Sequence, residues 1–436
     1  MEPVNVGILG LGTVGGGALN ILLRNAEEIS RRAGRELRVT CASVRDLKRS
    51  RICPVDGIRL TEDPFAIVND PAVDIVVESM GGIEPALALT LRALDQGKHV
   101  VTANKMLIAL HGNEIFARAS ERGLMVAFEA AVAGGIPIIK TMREGLAANR
   151  VEWLAGIING TTNFILTEMW EKGREFGDVL AEAQALGYAE SDPTFDIEGI
   201  DAAHKLTILA SIAFGIPLQF ERAYVEGISR VTACDVSYAE ALGYRIKLLG
   251  IARRTARGIE LRVHPTLIPS RRLIANVNGV MNAVLVRGDA VGSTLHYGPG
   301  AGAEPTGSAI VADLVDVART MTADPDNRVP HLAFRAEAMS SEPVLPIGEV
   351  ETACYLRLSA EDKPGVLADI TRILADHNIS IEAILQKEPH GDEQHLPVIL
   401  LTHKVMERDI DLAIASIEAL ASIRGPVLKL RMETLS

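Results

Sequence analysis

Between residues 188 and 205 the chain places five carboxylates, Glu190, Asp192, Asp196, Glu198 and Asp201, ahead of one lysine, Lys205. The apolar run 206–214 follows and reads as a helix entering a core. Asp201 and Lys205 stand four apart, which puts them on one face of such a helix. A carboxylate beside a lysine at the mouth of a buried helix can set the amine's pKa and its aim, which is the equipment of acid–base catalysis. The same pattern also describes an acidic helix start favoured by the macrodipole, with an ordinary i,i+4 ion pair.

A second group of residues points to phosphate chemistry. Gly10-Leu11-Gly12-Thr13-Val14-Gly15 follows the short apolar run 4–9 and precedes an amphipathic segment whose Ala18, Leu19, Ile21, Leu22 and Leu23 are expected on its buried side. This is GxGxxG between a strand and a helix. The first glycine allows a tight turn, the second lets backbone approach a pyrophosphate, and the third lets helix and strand pack closely. The next strand, 37–44, ends in Arg45, with Asp46 and Lys48 close behind. An arginine there suits a ribose 2′-phosphate and an acid suits the 2′-hydroxyl, so Arg45 favours NADP while Asp46 keeps NAD open. Thr102-Ala103-Asn104-Lys105 sets a lysine at the carboxyl edge of the sheet, where open α/β sheets bind ligands.

These residues require a scaffold, and the hydrophobic pattern supplies one. Strands at 73–78, 99–102 and 124–128 alternate with a helix at 85–96, giving a Rossmann-type doubly wound domain over 1–140. A strand at 153–158 runs into the polar loop Asn159-Gly160-Thr161-Thr162-Asn163. Helices at 163–173 and 178–186 and strands at 244–253, 260–266 and 277–287 complete an α+β substrate and dimerisation domain over 141–304. The glycine-rich turn 297–306 leads into a helix at 308–320.

At 436 residues the chain has material for about three domains. Hydrophobic residues make up 48% and aromatic ones 4%, so the cores must be aliphatic. A net charge of −12 argues against nucleic acid or an anionic membrane as partner. Cys41, Cys53, Cys234 and Cys354 are scattered without metal-ligand spacing and read as reduced thiols. No run reaches about 18 apolar residues. With a strand starting at once and no signal peptide expected, the reading is a cytoplasmic protein.

From 323 to 349 the composition turns to Asp, Pro, Asn and Ser, a linker. Residues 350–436 then read strand, helix, strand, strand, helix, strand, with Lys363-Pro364-Gly365-Val366-Leu367 entering the first helix. This βαββαβ order resembles an ACT domain, which implies a regulatory module that binds an amino acid where two copies pair.

Taken in order, the glycine turn 10–15, Thr102–Lys105, the turn Glu129-Ala130-Ala131-Val132-Ala133-Gly134-Gly135-Ile136-Pro137, Asn159–Asn163, Gly187-Tyr188-Ala189-Glu190-Ser191-Asp192-Pro193 and Asp201-Ala202-Ala203-His204-Lys205 resemble the homoserine dehydrogenases. The resemblance implies reversible reduction of L-aspartate 4-semialdehyde to L-homoserine with NADPH or NADH, in threonine, methionine and isoleucine biosynthesis. It implies Lys205 as the acid–base group with Asp201 beside it, Glu190 on the substrate's amino group, and Lys105 near substrate and nicotinamide. It places Gly302 near the nicotinamide, and a monovalent cation, Na or K, on Glu129 and the carbonyls of Val132, Gly134 and Ile136. L-Threonine is the implied effector, and a homodimer or homotetramer the implied assembly. Deleting 350–436 is expected to remove regulation and spare catalysis. Two rival readings remain. Aspartate-semialdehyde dehydrogenase needs a cysteine nucleophile at the cofactor edge, and a catalytically inactive amino-acid sensor would bind effector without turnover.

Overall fold

A computed structural model describes residues 2–386 and 395–436 of the chain. They form two compact units, each assembled from three stretches of sequence. The first comprises Met1–Gly160, Ala203–Glu221 and Val280–Glu342, and the second Thr161–Ala202, Arg222–Gly279 and Pro343–Ser436.

The first unit is built on six parallel strands: β1 Val4–Leu9, β2 Leu37–Ser43, β3 Arg59–Thr61, β4 Ile75–Glu78, β5 His99–Thr102 and β6 Val126–Ala127. Their order is β3-β2-β1-β4-β5-β6, with the chain reversing direction across the sheet at β1. Strands buried on both faces read as unbroken apolar runs, and β4 and β5 are buried throughout. The expected strand 124–128 narrows to β6, and β3 is an addition that its three short residues did not announce.

Helix Thr13–Arg24 follows β1 and packs on helix Ala303–Thr320, whose residues Ile310, Leu314 and Val317 share a core with Leu19, Ile21 and Leu22. The two helices touch backbone to backbone: a Cβ at Gly17 would lie 2.2 Å from the Ala303 carbonyl oxygen. Leu23, expected in this core, is 51% exposed: it stands in the helix's last turn beside exposed Arg24, where the core no longer covers it. The second helix starts five residues earlier than the composition indicated. Pro305 sits in its first turn, where a missing N–H is harmless. A strand absent from the sequence reading, Gly292–Pro299, forms a hairpin with Met281–Gly288, which in turn pairs antiparallel with Val151–Ile157.

The second unit contains the antiparallel pair Tyr244–Arg254 and Ile259–Pro269. Strand Leu428–Met432 runs parallel to Ile259–Pro269 and joins it to Glu351–Glu361, His395–Thr402 and Ile381–Gln386. Helices Val366–Asp376 and Glu407–Glu418 share one core with these strands, in the expected βαββαβ order. Among the described residues no helix is long and apolar enough to cross a membrane.

Candidate functional site

The glycine loop has the geometry a pyrophosphate needs. Gly10 adopts φ +94°, open to glycine and strained for other residues. A Cβ at Gly15 would sit 2.0 Å from the Gly10 carbonyl oxygen and 2.7 Å from Ser79 Oγ, so only glycine packs there. A Cβ at Gly12 would meet nothing within 4 Å. Gly12 begins helix Thr13–Arg24 with no side chain capping it, so backbone N–H groups beside exposed Thr13 and half-buried Val14 face open space at the positive helix end. This cradle fits a dinucleotide phosphate. Arg45 is exposed directly after β2, and the Asp46 carboxylate accepts from the Lys48 N–H at 2.8 Å.

At the carboxyl ends of β4 and β5 a small network fixes the next loops. Thr102 Oγ1 donates to Glu78 Oε2 at 2.7 Å and accepts from the Asn104 N–H at 3.0 Å. Glu78 Oε1 accepts from Met80 N–H at 2.8 Å, and the Asn104 side chain caps the Leu107 N–H at 3.1 Å. Lys105 is therefore held as the first residue of helix Lys105–Glu121. A cation at the positive end of a helix is placed against the macrodipole, which a purely structural role does not favour. Glu78 was not singled out from sequence. Its signal was an acid closing an apolar strand at the ligand-binding edge.

Lys205 and Asp201 lie on helix Ile200–Phe214, both buried. Lys205 Nζ donates to the Ile158 carbonyl oxygen at 2.7 Å, next to Asn159, where strand Val151–Ile157 gives way to the helix Gly160–Lys172. The lysine thus lies on a buried helix face with its amine at a strand end, rather than on a solvated helix face. Glu190 is exposed. Its segment is tied down by Thr161 Oγ1, which donates to the Tyr188 carbonyl at 2.7 Å, and by Gln184 Nε2, which donates to the Glu190 carbonyl at 3.1 Å. Lys247, not singled out from sequence, is buried and donates to Asn163, which the structure places in the first turn of helix Gly160–Lys172 and not in a loop. The signal was a charge inside the apolar run Ile246–Leu249.

In the turn 129–136 both Glu129 carboxylate oxygens accept backbone N–H groups, from Ile139 at 2.8 Å and Lys140 at 2.7 Å. Its own N–H donates to Asp313 Oδ2 at 2.8 Å. Burial pushes Glu129 up to about 7, and burial with the neighbouring Glu129 raises Asp313 further above its usual range. Val132, Gly134 and Ile136 are buried, and Gly134 at φ +50° packs on Gly300, two residues before exposed Gly302. Among the described residues no cluster of three or more His, Cys, Asp or Glu side chains could hold a metal, so any cation here depends on carbonyl oxygens. A cavity of about 710 Å³ opens between residues 325–339, helix Lys105–Glu121 and the Lys140–Glu144 turn, and neither Lys205 nor the glycine loop lines it.

No cysteine has a nucleophile's setting. Cys41, Cys53 and Cys354 are buried, and burial raises the thiols of Cys53 and, to about 11, Cys354. Exposed Cys234 lies in the second unit on helix Ala233–Ala241.

A doubly wound parallel sheet with this glycine cradle, a buried helical lysine bonded to a strand end and a C-terminal βαββαβ module fit a nicotinamide-dependent oxidoreductase with an appended small domain. Comparison with known proteins names the family. Residues 10–129 match the NAD-binding domain of homoserine dehydrogenase, residues 137–315 match homoserine dehydrogenase itself, and residues 355–422 match the ACT domain. A homoserine dehydrogenase of Pseudomonas aeruginosa is 65% identical over 436 residues, covering 100% of both chains. The crystal structure of the Thiobacillus denitrificans homoserine dehydrogenase is 66% identical, with TM-score 0.95 over 100% of this chain and 99% of that one. A hyperthermophilic archaeal homoserine dehydrogenase in complex with NADPH is 28% identical, with TM-score 0.62 over 74% of this chain and 99% of that one. The chain belongs to the homoserine dehydrogenase family of oxidoreductases, and its cofactor is a nicotinamide dinucleotide.

Proposed function

We propose that the protein interconverts L-aspartate 4-semialdehyde and L-homoserine, with Lys205 as the group that gives and takes the proton. The observation that carries this reading is the buried Lys205 ammonium, aimed at the Ile158 carbonyl beside the Asn159 loop. The bound nicotinamide nucleotide supplies or accepts the hydride at the aldehyde carbon. As alkoxide charge develops on the substrate oxygen, an ammonium within hydrogen-bond reach neutralises it and lowers the barrier. In the reverse direction Lys205 must be neutral. Burial favours that form, and Asp201, one turn earlier on the same helix, serves to orient the amine.

Glu190, whose side chain is exposed, pairs with the substrate ammonium, and Lys105 contacts substrate and nicotinamide at the sheet edge. NADPH is the preferred reductant: Arg45 is exposed after β2, while Asp46 is engaged by the Lys48 N–H. A monovalent cation takes the carbonyls of Val132, Gly134 and Ile136 with Glu129, whose carboxylate retains unused lone pairs. Functionally the chain divides into a nucleotide domain (1–140, with 305–322), a substrate and dimerisation domain (141–304), a linker (323–349) and a regulatory domain (350–436). L-Threonine is its effector, bound where regulatory domains pair in a dimer or tetramer. The enzyme works in the cytoplasm, in keeping with its biosynthetic reaction.

Substitution Lys205→Ala tests the assignment. We expect kcat to fall by about three orders of magnitude or more, with NADPH binding retained in a fluorescence titration. Near-normal turnover would remove Lys205 from the chemistry.

A further inference from the structure

Lys247 stands in the middle of strand Tyr244–Arg254 and is 2% exposed. Its Nζ donates to the Val277 carbonyl at 2.7 Å, to Asn163 Oδ1 at 3.0 Å and to Asn278 Oδ1 at 3.1 Å. An ammonium carries three protons, and each has an acceptor. Among the described residues no carboxylate lies in ion-pair distance of it. Burying a charge without a counter-ion costs several kcal/mol, and an apolar side chain of the same length would fill the strand at lower cost. What the ammonium adds is direction. Its bond to Oδ1 fixes the Asn163 amide, whose Nδ2 donates to the same Val277 carbonyl at 3.0 Å.

Asn163 lies in the first turn of helix Gly160–Lys172, and that turn holds the segment carrying Glu190. Thr161 Oγ1 donates to the Tyr188 carbonyl at 2.7 Å, and the Phe164 ring meets the Tyr188 ring edge-on at 5.1 Å between centroids. Thr161 and Phe164 belong to the same helix start as Asn163, so the amide that Lys247 orients anchors the backbone from which both contacts are made. Glu190 follows Tyr188 by two residues and is otherwise solvent-exposed, so the aim of its carboxylate depends on how firmly Tyr188 is held.

We propose that Lys247 is a positioning residue for the amino end of the substrate, locking Asn163 and, through Thr161 and Phe164, the Tyr188–Glu190 segment. The inference rests on Glu190 being the substrate's ammonium anchor. Lys247 does not touch substrate, and its loss falls on substrate binding rather than on proton transfer at Lys205.

A double-mutant cycle in the full-length enzyme tests it, using Lys247→Met, Glu190→Gln and the double variant, with kcat and KM for homoserine and fluorescence titration of NADPH. We expect Lys247→Met to raise KM for homoserine about tenfold or more with kcat and NADPH affinity nearly unchanged, and to add little in the Glu190→Gln background. Thr161→Val, which removes only the Tyr188 bond, should show the same KM-selective, non-additive effect and serves where Lys247→Met does not fold. Effects that add independently to those of Glu190→Gln, or a fall in kcat at constant KM, would overturn the positioning role alone. An unchanged KM in Glu190→Gln would overturn the anchor itself, and the inference with it.

Discussion

Arg431 sits opposite Thr266 in the parallel pairing of strands Leu428–Met432 and Ile259–Pro269. On its other edge Thr266 sits opposite Lys247. One cross-strand row therefore runs from the ACT domain to the lysine that holds Asn163. The attachment is reinforced by charge. Arg431 donates to Glu407 at 2.8 and 3.0 Å and to Glu226 at 2.6 Å, and Arg262 pairs with Glu433, all largely removed from water. The ACT domain is thus part of the second unit's sheet, not a bead on a linker.

This changes what deletion of 350–436 should do. Truncation leaves the buried Arg262 without Glu433 and uncovers an edge of strand Ile259–Pro269, so loss of catalysis with the fold is the expected outcome. A point variant is cleaner. Arg431→Met strands Glu407, which is 0% exposed, beside Lys429 alone among cations. Breaking a buried pair from one side costs about 3–5 kcal/mol. Urea denaturation should show that loss, and an unchanged midpoint would mean that Glu407 is satisfied without Arg431.

Gly15→Ala should weaken nucleotide binding. Its Cβ would lie 2.0 Å from the Gly10 carbonyl oxygen, a backbone atom that cannot yield without moving the phosphate loop. We expect NADPH affinity to drop by about two orders of magnitude in a fluorescence titration. Parent-like affinity would displace the phosphate site from this loop.

Arg45→Ala should discriminate between the two reductants. A charge-assisted bond to a 2′-phosphate contributes about 1.5–3 kcal/mol, so kcat/KM with NADPH should fall about 10–100-fold while NADH is little affected. An equal effect on both would mean that Arg45 does not meet the phosphate.

The six motifs were legible because each is local: a turn, a cap or a strand end carries its own residue signature within a few positions. What escaped was set by partners distant in sequence. Lys247 looks like a stray charge in an apolar strand until residues 163, 277 and 278 converge on it. Strand Gly292–Pro299 is half-exposed and polar, and only its register with Met281–Gly288 makes it a strand. Leu23 misled because its angle on the helix matches that of buried Leu19 and Gly16, while its place in the last turn, at the end of the core, is not written in the periodicity.

Acid should unfold the first unit through two histidines that hold β6 from either side. His99 Nδ1 accepts from the Met125 N–H at 3.0 Å, and His331 Nε2 accepts from the Val126 N–H at 3.1 Å, roles open only to neutral rings. Burial pushes His99 down to about 4 and His331 down to about 3, with the Arg328 charge adding to both. An unfolded histidine titrates near 6.5, so between that pH and the folded values the unfolded chain binds more protons. Stability therefore declines as pH falls below about 6.5 and stops declining on this account only below about 3–4. At pH 5 each ring accounts for a loss of about 2 kcal/mol. His331→Gln keeps an acceptor for Val126 without a titrating ring, so its melting temperature should drop less than the parent's between pH 7 and pH 5. Equal drops would exclude His331 as a source of the acid sensitivity.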